Sequence, residues 1–62
     1  MKTVSSVEEY QECINEVLKT KESMKVKVNM SHPELDKAME ELNLEGVEVI
    51  VGEEYDEIKP LD

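Results

Sequence analysis

The chain predicts a small α+β domain, its elements in the order α-β-α-β, with a short two-stranded sheet and an acidic C-terminal tail. Three patterns carry this prediction. Apolar residues recur at helical spacing through 7–22, alternate strictly through 24–30, and form a β-branched run between Gly46 and Gly52.

In the first segment Val7, Tyr10, Cys13, Ile14, Val17 and Leu18 fall on one helical stripe, while Glu8, Glu9, Glu12, Glu16 and Lys19 lie mostly opposite. Ser6 followed three residues later by Glu9 is a capping box, and early acids with late lysines suit the helix dipole. In the second, Met24, Val26, Val28 and Met30 alternate with Lys25, Lys27 and Asn29, the signature of a half-buried strand. Ser31-His32-Pro33-Glu34 then opens a second helix, with Pro33 in its first turn and Ser31 or His32 as cap. Leu35, Ala38, Met39 and Leu42 form its stripe, and Asn43 to Gly46 end it. The second strand puts Val47, Val49 and Val51 on one face and Glu48 and Ile50 on the other. Residues 53–62 read as the tail, anchored by a short turn through Tyr55 and Ile58, and residues 1–5 as a flexible N-terminus. Pro60 argues against a helix continuing there.

Strand, helix and strand in succession favour a parallel pair, with an antiparallel arrangement after a looser turn as the alternative. At 62 residues the chain is one domain, and its size makes stability marginal. Two strands leave both sheet edges open, and a single cysteine provides no intrachain disulfide, so a homodimer is expected, through strand pairing or the first helix.

Sixteen acids against seven lysines give a net charge of −9. Such a chain is not expected to bind nucleic acid or an anionic membrane directly, since Lys and Arg supply those affinities. The lone Cys13, the want of an apolar leader before Glu8, and the absence of any apolar run near ~20 residues together predict a cytoplasmic protein.

Reactive chemistry is sparse. Cys13 sits on an apolar stripe and reads as a small buried hydrophobe. His32 has no nucleophile partner or second ligand, and with Cys13 it makes no zinc spacing. The run from Gly52 to Glu57 lacks the alternation and internal glycine of a calcium loop. With two glycines in all, no phosphate loop exists. No catalytic residue, cofactor or metal is predicted, and an enzyme would need a second chain to complete its site.

The informative feature is charge placement. Residues 1–31 hold five acids and five lysines, whereas residues 32–62 hold eleven acids and two lysines. The candidate partner-binding residues are Glu40, Glu41, Glu45, Glu48, Glu53, Glu54, Asp56 and Glu57, a stretch without a basic residue. Residues four apart on a helix lie ~6 Å apart along the axis, and residues two apart on a strand lie ~6.7 Å apart, of the same order as phosphate spacings. The bland alternative is a solvated face that keeps a small protein soluble.

Size, charge and the Glu40–Glu57 acid run together resemble small phage-encoded host-takeover proteins, in particular DNA mimics that inhibit HU-type nucleoid-associated proteins. The resemblance implies a dimeric, non-enzymatic inhibitor whose carboxylates replace phosphates on the basic DNA-binding surface of a host protein, in the host cytoplasm. The other expectation is an acidic interaction module using apolar or strand-edge contacts: an antitoxin-like protein, an adaptor, or an inhibitor of RNA polymerase or another host enzyme.

Overall fold

The computed structural model describes residues 1–61. Its elements are β1 (Lys2–Val4), α1 (Val7–Thr20), β2 (Met24–Val28), α2 (His32–Glu41), β3 (Val47–Val51) and β4 (Asp56–Pro60). The four strands make one mixed sheet in the order β1-β2-β4-β3. β1 runs parallel to β2, and β4 is antiparallel to both of its neighbours.

The α+β class and the two predicted helices stand. α1 begins where the capping box places it: the Glu9 amide donates to Ser6 Oγ at 3.2 Å, and the Ser5 hydroxyl donates to Glu9 Oε1 at 2.8 Å. Those serine bonds hold the Glu9 carboxyl below its usual range. The helix stops at Thr20 because Lys21 turns left-handed at φ 62°, its amide closing onto the Val17 carbonyl at 2.8 Å. α2 carries Pro33 in its first turn, and Ser31 caps it without a side-chain bond. Gly46, at φ +88°, makes the turn into β3; a Cβ there would lie 2.9 Å from Leu18 Cδ2.

Four expectations need correction. The sheet has four strands, not two. Residues 2–4 form β1 rather than a flexible start, with Val4 fully buried. The predicted acidic tail is the hairpin turn and β4, and the short turn through Tyr55 and Ile58 is absent; Asp62 lies outside the described residues. β2 and β3 share a direction but are not partners, because β4 lies between them.

The reason for the missed β4 lies in its composition. Asp56, Ile58 and Pro60 alternate inward against Glu57 and Lys59, a period of two hidden by an aspartate and a proline at core-facing positions. The proline is tolerated for a backbone reason. The Leu61 amide donates to the Gly46 carbonyl at 3.1 Å, so Gly46–Leu61 is a bonded pair of the ladder. Bonded pairs alternate with non-bonded ones, which leaves Pro60 opposite Val47 where no donor is required.

The core is α1 laid across all four strands. Val4, Tyr10, Cys13, Ile14, Val17, Val26 and Ile58 are fully buried, with Leu42 and Val47 closing the α2 and β3 side. α2 lies on the same side as α1. The Asn43 amide donates to Gln11 Oε1 at 2.9 Å, and Gln11 Nε2 returns to the Asn43 carbonyl at 3.4 Å. The molecule therefore has a helix layer on one side and an uncovered sheet face on the other. With four strands the sheet no longer needs a second copy to be complete; among the described residues the outer edges of β1 and β3 have no strand partner.

Candidate acidic interface

The eight candidate acids do not share one surface. Glu40 and Glu41 end α2, exposed on the helix layer, and Glu45 follows in the exposed turn before β3. Glu53 and Glu54 are exposed at the β3–β4 hairpin turn. Glu48 and Glu57 project from the uncovered sheet face, where basic residues meet them. Glu48 stands opposite Lys59, and Glu57 stands opposite Lys25 while its Oε1 lies 3.9 Å from Lys59 Nζ.

Asp56 leaves the set. It is only 5% exposed, on the core side of β4, and its Oδ2 accepts the Tyr10 hydroxyl at 3.2 Å. Tyr10 is itself fully buried. Burial, followed by the neighbouring Asp56 charge and their hydrogen bond, pushes the phenol well above its usual range. The pair is a structural strut between α1 and β4, since a buried carboxylate needs a donor and Tyr10 supplies one. Cys13 is also fully buried, and burial raises its thiol, consistent with a packing residue.

The acids on the helix side of the sheet belong to the two helices, and half of them come from the electrically balanced half of the chain. α1 carries Glu8, Glu9, Glu12 and Glu16 against Lys19; α2 carries Glu34, Asp36, Glu40 and Glu41 against Lys37. Each helix is therefore −3, whereas the sheet strands together are slightly positive through Lys2, Lys25, Lys27 and Lys59 against Glu48, Asp56 and Glu57. Glu8, Glu12 and Glu16, all exposed, succeed one another four residues apart, a stripe with an axial step of ~6 Å. Adding charge along the chain conceals this stripe, because Lys21, Lys25 and Lys27 cancel it in sequence though Lys25 and Lys27 lie across the molecule on the other face. The period-four spacing of the glutamates was the available signal.

The uncovered sheet face is mixed. Thr3, Lys25, Lys27, Glu48, Ile50, Glu57 and Lys59 alternate outward from the four strands. The Lys25 ammonium rests 5.1 Å from the centroid of the Tyr55 ring. Among the described residues no group of three or more His, Cys, Asp and Glu converges to hold a metal ion, and no helix is long and apolar enough to cross a membrane. Comparison with family models, curated proteins and solved structures finds no match to this chain.

Proposed function

We propose that this protein is a non-enzymatic inhibitor that mimics nucleic acid, presenting its helix layer to the basic DNA-binding surface of a host protein of the HU-type, nucleoid-associated class. The observation that supports this reading is the sorting of charge by layer: both helices are strongly acidic and share one side of the sheet. The acids that carry it are Glu8, Glu12 and Glu16 of α1 with Asp36, Glu40 and Glu41 of α2, all exposed. Of the stretch first singled out by its lack of basic residues, Glu40 and Glu41 belong to this surface.

Rigidity matters as much as charge. Carboxylates on a capped helix packed over a sheet keep their spacing, so a cationic groove meets an ordered array rather than a diffuse cloud. The axial step of ~6 Å is nearly twice the ~3.4 Å rise per phosphate on a nucleic-acid strand, so one glutamate of the stripe stands in for about every second phosphate. Association through such a surface is steered by the field and weakens as salt rises.

The test uses a purified HU-type protein as probe. The parent protein should bind it, displace DNA from it, and lose affinity from low to moderate salt. Reversal of Glu8, Glu12, Glu40 and Glu41 to Lys should lower affinity by about 100-fold or more, as expected when several charge pairs are inverted together. Binding that leaves DNA in place, or a reversed variant that binds as tightly as the parent, overturns the proposal.

A further inference from the structure

β3 is an edge strand with unusual properties for its position. Its sequence, Val47-Glu48-Val49-Ile50-Val51, has five residues and contains no lysine or proline, the residues that commonly blunt a sheet edge. Among the described residues no strand pairs with its outer side. β1, at the opposite edge, is three residues long and begins with a lysine. Two of the four large exposed hydrophobic residues sit on β3: Ile50, 43% exposed, and Val51, 69% exposed.

The ladder shows which backbone groups face outward. Because Gly46–Leu61 is a bonded pair, Glu48–Lys59 and Ile50–Glu57 are bonded as well, and the amides and carbonyls of Val47, Val49 and Val51 point away from β4. One of these groups is already engaged: the Val47 amide donates to the Leu44 carbonyl at 3.2 Å.

We propose that β3 pairs antiparallel with β3 of a second copy of this chain, about a two-fold axis at Val49, giving a dimer with a continuous eight-stranded sheet. In that register all three outward-facing residues of the strand find partners. Val49 faces Val49 of the other copy and Val47 faces Val51, so the outward-pointing groups meet as bonded pairs, forming about four backbone hydrogen bonds without disturbing the Val47–Leu44 contact. Glu48 faces Ile50 of the other copy, so no like charges stand directly opposite, and Lys59 remains beside Glu48 on its own sheet. The exposed Val51 gains a β-branched partner in Val47. The axis is normal to the sheet, because paired residues share a face. Both helix layers therefore lie on the same side, and the acidic surface doubles without a break in the sheet beneath it.

This dimer does not depend on the nucleic-acid-mimic reading, and its response to salt has the opposite sign. Two copies of −9 each repel, so screening strengthens the dimer, whereas it weakens attraction to a cationic partner.

The test is sedimentation equilibrium of the full chain at low and high salt, together with cysteine cross-linking. The dimer mass should be present at micromolar concentration and shift by several-fold in favour of dimer at high salt. Val49→Cys should form an intermolecular disulfide under mild oxidation, since directly opposed bonded residues lie ~5.5 Å apart between Cα atoms, within the range a disulfide spans. Thr3→Cys, on the other edge, should remain monomeric on denaturing gels. Val51→Pro removes an outward amide that β4 does not use, and it should shift the mass to monomer with the circular dichroism unchanged. A parent chain that stays monomeric, a Val49→Cys variant that cross-links no faster than Thr3→Cys, or a monomer whose β3 takes up an extended peptide in place of a second copy each overturns the proposal.

Discussion

The helix layer and the uncovered sheet face draw on the same few polar residue types in opposite proportions. On the helices, acids outnumber lysines four to one in each element, and the glutamates of α1 repeat at the spacing that brings like charges together. On the open sheet face, Lys25, Lys27 and Lys59 are interleaved with Glu48 and Glu57, and each glutamate has a lysine opposite or beside it. One surface concentrates a field and the other cancels it. Net charge says little until the fold assigns each charge to a side: the two regions border one core in one small chain, yet the helices concentrate negative charge while the sheet face pairs it with lysines.

The most severe way to break this comparison is to change equal numbers of acids on the two regions. Reversal of Glu8 and Glu12 to Lys is expected to reduce binding to a basic DNA-binding protein by about tenfold or more, while reversal of Glu48 and Glu57 on the sheet face should change it by less than about threefold. Titration calorimetry at one fixed salt concentration checks both. Equal losses from the two sets would mean that the surface follows the sequence run and not the layer.

Next in size is the seam between the regions. Tyr10→Phe deprives the buried Asp56 of its donor and should destabilise the fold by about 1–3 kcal/mol in urea unfolding. The same residue gives a pH signature. The phenol is raised on folding, so the folded state favours its protonated form; that contribution is complete below the unfolded value of about 10 and is lost as pH rises past it toward the folded value. Stability of the parent should therefore fall at alkaline pH more steeply than that of Tyr10→Phe, the difference between the two curves isolating this group from the lysines.

A smaller effect tests how α1 is anchored beneath its acidic stripe. Ser6→Ala removes the acceptor of the Glu9 amide and should cost about 1 kcal/mol by thermal unfolding. The smallest effect has opposite signs in the two regions. Glu12→Lys relieves repulsion along the Glu8–Glu12–Glu16 stripe and should stabilise by a few tenths of a kcal/mol, whereas Glu57→Lys places a third positive charge beside Lys25 and Lys59 and should destabilise by about 0.2–1 kcal/mol. Adding salt should shrink both differences. The same sign for both variants would show that the two regions do not differ electrostatically.

Much of the local structure was determined by the sequence alone. The capping box at Ser6 and Glu9, the helical stripe from Val7 to Leu18, the alternation from Met24 to Val28, Pro33 in the first turn of α2 and the valines of β3 each encode an element through contacts a few residues apart. Such signals survive in isolation because helix capping and side-chain periodicity are local properties. Tertiary structure decided the rest. Lys2–Val4 and Asp56–Pro60 have too few apolar residues to announce strands; they are strands because β2 and β3 offer ladders on which their backbones pair, and because Val4 and Ile58 find α1 waiting above them. Placing β4 between β2 and β3 buried Asp56 against Tyr10, turned Glu57 toward lysines, and left β3 at the edge of the sheet. The acidic surface moved accordingly, from a run of neighbours in the chain to two helices that the fold sets on one side of the sheet, since charges sum through space and only the fold says which of them are near.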